Sequence, residues 1–124
     1  MLNVMIIEDD EQLRKMLQIM IEKEGYSVEV ASNGEEAIKL FKTQPSELII
    51  TDLLMPEKDG LETIMEVKRD NPHVKIIAVS GGGQVGSKTY LKVAERLGAQ
   101  HIFSKPFKRT DLLEAVASLI GSPS

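Results

Sequence analysis

The sequence contains no cysteine, no long apolar run and no excess of positive charge. Without cysteine, disulfide frameworks, thiolate zinc sites and cysteine nucleophiles are excluded. The 15 Lys and Arg against 19 Asp and Glu give a formal net charge of −4. This charge argues against non-specific nucleic-acid binding, which depends on the neutralisation of phosphates by basic side chains.

The same absences bear on where the protein acts. No apolar run approaches the roughly 20 residues of a membrane span, and the first residues lack the basic region of a signal peptide. We therefore expect a cytoplasmic protein that contacts neither a membrane nor nucleic acid directly. The length of 124 residues with 42% hydrophobic content suits one globular domain. We place this domain at 1–120, followed by a polar C-terminal tail at 121–124.

Short apolar runs alternate with helical patterns along the chain. Runs of the length and composition of buried strands lie at 4–7, 48–51, 75–79 and 101–103, with a weaker one at 27–30. Apolar residues at helical spacing follow each run, and Asp10 and Gly25 are the predicted N-cap and C-terminal stop of the first helix. Five strand–helix repeats predict an α/β, doubly wound fold, with a parallel sheet and helices on both faces.

Polar residues come directly after several of these strands. They are Glu8, Asp9, Asp52, Ser80 and Lys105. Ligands of such sheets bind outside the carboxyl ends of the strands. We therefore expect these side chains to form a cluster at one edge of the sheet.

The predicted cluster has the composition of a magnesium and phosphoryl site. Its three carboxylates and one lysine sum to −2, which suits one divalent cation. Oxygen ligands without histidine or cysteine favour Mg²⁺ or Mn²⁺ over zinc or copper. Lys105 and the Ser80 hydroxyl could bind phosphoryl oxygens, and Asp52 is then the natural covalent acceptor. An isolated aspartate after a strand more often caps a helix or forms a turn, which is our interpretation of Asp10.

Four segments in this order resemble the receiver domain of response regulators, the phosphoacceptor module of two-component signalling. The resemblance covers nearly the whole chain and rests on Ile6–Asp10, on Ile49–Pro56 with Asp59 and Gly60, on Ala78–Gly81, and on Ser104–Phe107. It implies a flavodoxin-like, five-stranded parallel sheet with five helices and strand order 2-1-3-4-5. It also implies a signalling switch that catalyses only its own phosphoryl transfer and dephosphorylation, and is not otherwise an enzyme.

The resemblance assigns a role to each acidic residue of the cluster. Asp52 would take a phosphoryl group from the phosphohistidine of a sensor histidine kinase or a histidine phosphotransferase. Asp9 and Asp52 would bind Mg²⁺ directly and Glu8 through water, while Leu54 would contribute its backbone carbonyl.

The remaining positions would hold and transmit the phosphoryl group. Ser80 and Lys105 would bind it, Gly81 would leave it room, and the Lys105–Pro106 peptide bond would be cis. Ser80 would then change the surface formed by helix 4, strand 5 and helix 5, where the family usually binds a downstream partner protein.

The sequence departs from the family pattern at three positions. Ile102 stands where the family usually has a switch aromatic, so the usual ring movement is in doubt. Leu54 and Gly82 stand where the family tunes the attack of water on the phosphoryl group. Neither side chain can activate a water, which predicts a long-lived aspartyl phosphate.

Three other interpretations of the sequence compete with that of a phosphoacceptor receiver. Residues 81–89, GGGQVGSKT, approach a P-loop, but Lys88 comes one place late for that motif. A phosphatase of the haloacid-dehalogenase type would need an acid where Leu54 stands. The third alternative is a degenerate receiver that binds partners without phosphorylation. Because only a short polar tail follows Ile120, we expect the output to lie on another protein or in a longer chain from which this one is cut.

Overall fold

The computed structural model describes residues 2–53, 59–81 and 87–123, in which five strands alternate with five helices. The strands are β1 (Asn3–Ile7), β2 (Ser27–Ala31), β3 (Leu48–Asp52), β4 (Lys75–Gly81) and β5 (His101–Lys105). The helices are α1 (Glu11–Lys23), α2 (Gly34–Thr43), α3 (Gly60–Asp70), α4 (Ser87–Arg96) and α5 (Arg109–Ile120). Within these residues, no helix has the length and apolarity needed to cross a membrane.

All five strands are parallel and lie in the order β2-β1-β3-β4-β5. Helices α1 and α5 cover one face of the sheet, and α2, α3 and α4 cover the other. Strand residues therefore alternate between two apolar clusters, so that Ile6 packs under α1 and α5 and Ile7 under the other three helices. The predicted α/β, doubly wound, flavodoxin-like fold is confirmed.

Polar caps begin three of the helices. The Asp10 carboxylate accepts the backbone N–H groups of Gln12 and Leu13 at 3.0 and 3.1 Å, which confirms it as the N-cap of α1. Asn33 caps α2 in the same way through the N–H of Glu36, and Asp59 caps α3. These caps set where each helix leaves the carboxyl edge of the sheet.

Several boundaries differ from those expected from the sequence. Strand β5 continues to Lys105, because its pairing with β4 runs on through Ser104 and Lys105 beyond the apolar residues. The structure also sets the starts of the last two helices, at Ser87 for α4 and at Arg109 for α5. Met65 has apolar spacing on α3 but is 57% exposed, since it lies on the outer face of that helix.

The residues after α5 fold back on the domain. The Tyr26 hydroxyl donates a hydrogen bond to the Gly121 carbonyl at 2.7 Å. Pro123 packs beside Gly25, where a Cβ would come within 3.2 Å of the proline ring. The described part of the tail therefore lies against the α1–β2 turn, and the division at residue 120 stays a prediction.

Candidate functional site

Three charged side chains meet at the carboxyl edge of the sheet. Glu8 follows β1, while Asp52 and Lys105 are the last residues of β3 and β5. Lys105 lies two strands away from Asp52, and the residue beside it on the intervening β4 is Gly81. Because a glycine carries no side chain, the lysine can cross β4, and its Nζ reaches 2.9 Å from Glu8 Oε1 and 3.6 Å from Asp52 Oδ2.

Glu8 is the most deeply buried of these charged groups, with 1% of its surface exposed. Its Oε1 accepts a hydrogen bond from Lys105 Nζ, and its Oε2 accepts one from the Asp10 N–H at 3.2 Å. Burial raises the pKa of Glu8 to about 7, aided by the charge of Asp52 and opposed by the hydrogen bond from Lys105. Such a cost of burial is characteristic of functional sites more than of structural ones.

The pKa of Lys105 is also raised, which for a lysine favours the charged form. Burial lowers the pKa of Lys105, but the hydrogen bond to Glu8 and the negative charges of Asp52 and Glu8 raise it more, so that it lies above its ordinary value. Lys105 therefore remains a cation and holds the two carboxylates together.

Asp52 is positioned by contacts with its own backbone segment and with the start of α3. Its Oδ1 accepts the N–H of Leu53 at 2.9 Å, and only 6% of the residue is exposed. Gly60, the first residue of α3, donates its N–H to the Leu53 carbonyl. A Cβ on Gly60 would lie 2.3 Å from the Asp52 carbonyl oxygen, so only glycine permits this approach.

Two residues that sequence reasoning did not single out support the site. One is Gly60, which appeared only as part of the quoted segment. The other is Arg14, whose Nη1 donates to the Glu8 carbonyl at 2.9 Å and ties α1 to the end of β1. An arginine on a helix gives no sequence signal that distinguishes this contact from a solvated charge.

Glu8, Asp9 and Asp52 together have the composition and spacing of a metal site. One carboxylate oxygen of each lies within 4.8 Å of the others. Asp9 is exposed and gives access from solvent, while the other two are buried. No other group of this kind occurs in the described parts of the chain. Leu54, expected to contribute a backbone carbonyl, and Gly82 lie outside the described residues.

Ser80 reaches the same edge of the sheet but is not hydrogen-bonded to the charged cluster. The register pairs Asp52 with Val79, which packs under α1 and α5, so alternation directs Ser80 toward the side covered by α4. Ser80 is fully buried, and its Oγ has no hydrogen-bond partner among the described residues. The expected cluster therefore forms from the carboxylates and Lys105, with the serine hydroxyl beside it.

The remaining predicted positions lie near this serine and lysine. Ile102 pairs with Ala78 on β4 and packs, half-buried, against the cluster under α2, α3 and α4. The peptide bond between Lys105 and Pro106 is cis.

A sequence model of the response regulator receiver domain matches residues 4–117. The chain belongs to this family. Similar proteins include the chemotaxis protein CheY of Thermotoga maritima, 34% identical over 91% of this chain and 92% of its own length. The probable transcriptional regulator ycf27 of Cyanidium caldarium is 34% identical over 95% of this chain, which spans only 46% of that protein.

A solved structure agrees with this assignment. The response regulator TrrA of Thermotoga maritima, crystallised with Mg²⁺–BeF, superposes with a TM-score of 0.83 and 29% identity, covering 97% of this chain and all of that one. The protein is thus a receiver domain of two-component systems, with the family's acidic pocket formed by Glu8, Asp9 and Asp52.

Proposed function

We propose that this receiver domain accepts a phosphoryl group on Asp52 from the phosphohistidine of a sensor histidine kinase or a histidine phosphotransferase. The observation that carries the proposal is the buried Asp52 carboxylate beside the Lys105 ammonium, 3.6 Å away, at the open end of the sheet. In such a transfer, an Asp52 carboxylate oxygen bonds to phosphorus while the bond from phosphorus to the imidazole nitrogen breaks.

The chain's own residues orient and stabilise this transfer. The Leu53 N–H holds Asp52 Oδ1 and so fixes the carboxylate plane. Lys105 supplies positive charge next to the equatorial phosphoryl oxygens, where negative charge spreads during transfer. Gly81 leaves the space beside Lys105 free of a side chain.

Glu8, Asp9 and Asp52 would hold Mg²⁺, with Mn²⁺ as an alternative. Their oxygens are the ligands that these hard cations prefer, and the excess negative charge of the cluster matches a divalent ion. When bound, the ion neutralises charge on the carboxylates and on the incoming phosphoryl group. The Mg²⁺–BeF complex of TrrA supports this use of the pocket.

Ser80 is the residue that would couple phosphorylation of Asp52 to a conformational change. Phosphorylation adds negative charge and acceptor oxygens at Asp52, and the Ser80 hydroxyl is buried nearby without a partner among the described residues. A hydrogen bond from this hydroxyl to the phosphoryl group would move the end of β4 toward the site. Such a movement would be transmitted to α4 and to the α4–β5–α5 surface that binds a downstream partner protein.

The receiver acts in this scheme as a cytoplasmic switch and turns over no further substrate. The absence of a water-activating side chain at Leu54 and Gly82 in the sequence supports a long-lived phosphoryl group. Ile102 cannot repeat the movement of an aromatic ring, so Ser80 alone would begin the switch on β4.

Labelling with acetyl phosphate and Mg²⁺ tests the proposal. We expect phosphoryl uptake in the wild type and none in Asp52→Asn. Asp59→Asn is the matched control, because asparagine caps a helix as well as aspartate does, and this variant should be labelled normally. Uptake that survives in Asp52→Asn would overturn the assignment of the acceptor, and a lack of uptake in the wild type would favour a phosphorylation-independent binding module.

A further inference from the structure

A groove of about 330 Å³ runs between β5, which is an outermost strand of the sheet, and helix α5. The strand contributes His101 and Phe103, and the helix contributes Asp111, Glu114 and Ser118. The groove is thus aromatic on one wall and acidic on the other. None of these residues takes part in the phosphoryl-acceptor site.

The aromatic wall is a continuous row of rings. His101 and Phe103 stack with centroids 6.4 Å apart and planes inclined by 22°. Phe103 in turn contacts Phe107, with centroids 5.8 Å apart. All three residues are half-buried, so the row remains accessible from solvent. Aromatic faces attract cations placed within about 6 Å of the ring centroid.

The acidic wall of the groove carries two carboxylates on helix α5. Asp111 and Glu114 are exposed and lie three residues apart, on one face of α5. Within the described part of the chain, no ion pair or hydrogen bond satisfies either carboxylate. Asp111 stabilises the helix dipole from the first turn, but Glu114 lies beyond the reach of that effect. The stability of α5 therefore gives no reason for an acidic side chain at Glu114.

The chemistry of the walls selects the kind of occupant. Two carboxylates repel phosphates, which disfavours nucleic acid and phosphorylated peptides. His101, Asp111 and Glu114 do not come close enough together to form a metal site, since the metal-binding group found among the described residues lies elsewhere, at Glu8, Asp9 and Asp52. A flat cation on an apolar stem satisfies both walls at once. The guanidinium of arginine stacks on rings and pairs with carboxylates.

We propose that the β5–α5 groove binds an arginine side chain presented by the downstream partner protein. This inference rests on the proposed function, since it specifies the partner chemistry of the output surface. Phe103 and Lys105 are two residues apart on β5 and face the same side of the sheet. A shift of Lys105 on phosphorylation is thereby transmitted along the strand to the aromatic wall.

The probe is N-acetyl-arginine amide, titrated into isotope-labelled full-length chain and followed by NMR. We expect saturable shifts confined to the backbone of 101–103 and 111–118. The matched probe N-acetyl-citrulline amide has the same shape without the charge, and it should produce no saturable shift there. Because an exposed charge pair contributes about 0.2–1 kcal/mol, Glu114→Gln should weaken binding by up to about fivefold. Glu62→Gln, on an exposed face of α3, should leave it unchanged.

Four outcomes would overturn the proposal: no shift, shifts spread over the whole surface, equal binding of citrulline, or equal affinity in Glu114→Gln. Sedimentation velocity at the NMR concentration tests whether a second copy of the chain occupies the groove instead. A dimer whose contact covers the groove would overturn the proposal. Failure of the proposed function is measured separately. Loss of acetyl phosphate labelling would refute phosphorylation, whereas the arginine titration on the unphosphorylated chain does not depend on it.

Discussion

The amino and carboxyl edges of the sheet, where its strands begin and end, carry similar polar residues that make different contacts. At the amino edge, the ammonium of Lys68 donates to the Val74 carbonyl at 2.7 Å, and Gln100 Oε1 accepts the Ile76 N–H. These contacts provide hydrogen-bond partners for backbone groups at the start of β4. At the carboxyl edge, Lys105 instead contacts two buried carboxylates, and its charge does not fully offset the burial that raises the pKa of Glu8. The amino edge therefore serves stability, whereas the carboxyl edge carries a cost of burying charge that a bound cation would relieve.

The largest expected difference between the edges is that between their lysines. Lys105→Met removes the cation next to Asp52, and we expect acetyl phosphate labelling to slow by about 10²–10³-fold, the usual cost of losing one preorganised charge donor. Lys68→Met keeps the aliphatic stem that packs near Gly98 but loses the bond to Val74. It should lower the free energy of unfolding and leave labelling unchanged. Equal labelling rates in the two variants would abolish the distinction between the edges.

Mg²⁺ should affect variants of two neighbouring aspartates, Asp9 and Asp10, differently. At a concentration about 100 times its Kd, Mg²⁺ should stabilise the wild type by about 2.7 kcal/mol in urea unfolding. Asp9→Asn should lose most of this gain, because Asp9 belongs to the carboxylate group. Asp10→Asn should keep it, since asparagine preserves the cap of α1. A full gain in Asp9→Asn would remove that residue from the metal site.

Two glycines, Gly60 at the carboxyl edge and Gly98 at the amino edge, lie where an added methyl group would meet neighbouring atoms. Gly60→Ala forces a methyl group against the Asp52 carbonyl and the Leu53 backbone, which cannot yield. We expect about 1–3 kcal/mol of destabilisation together with slower labelling, because Asp52 is displaced.

Gly98→Ala tests the same change at the amino edge. Gly98 has φ of +118°, and its added methyl group would meet the flexible end of Lys68. We expect a destabilisation of about 1 kcal/mol from the backbone conformation, measured by urea unfolding, and labelling at the wild-type rate. Slowed labelling in Gly98→Ala would contradict the separation of the two edges.

The smallest expected effect concerns two buried serines, one at each edge. Ser46 and Ser80 both have hydroxyls without a partner among the described residues. Replacing either by alanine should change the free energy of unfolding by less than about 1 kcal/mol, because no hydrogen bond is lost.

The two serines should differ only in signalling. Ser80→Ala should still be phosphorylated, but the NMR shifts that phosphorylation produces along α4 should shrink, whereas Ser46→Ala should behave as the wild type. A normal response in Ser80→Ala would remove that hydroxyl from the switch.

The fold was predictable because local signals agreed along the chain. The buried runs around Ile6, Ile50 and Ile77 marked the central strands, and caps such as Asp10 marked where helices begin. Boundaries were less predictable where pairing carried an element beyond its apolar residues. Lys105 illustrates this, because β5 extends to it only through its ladder with β4.

The composition of the site was predictable, but its internal arrangement was not. The rule that ligands lie at the carboxyl ends of parallel strands brought Glu8, Asp52 and Lys105 together correctly. The hydrogen bond of Lys105 to Glu8 depends on side-chain packing across β4, which spacing alone does not specify. Likewise, the side of the sheet that Ser80 occupies depends on the register with β3.

The most direct test of the account is to map the phosphorylated residue. After labelling with acetyl phosphate and Mg²⁺, the acyl phosphate is trapped by borohydride reduction, and the modified peptide is sequenced by tandem mass spectrometry. We expect modification at Asp52 alone. Modification at Glu8 or Asp9, or no modified carboxylate at all, would contradict it.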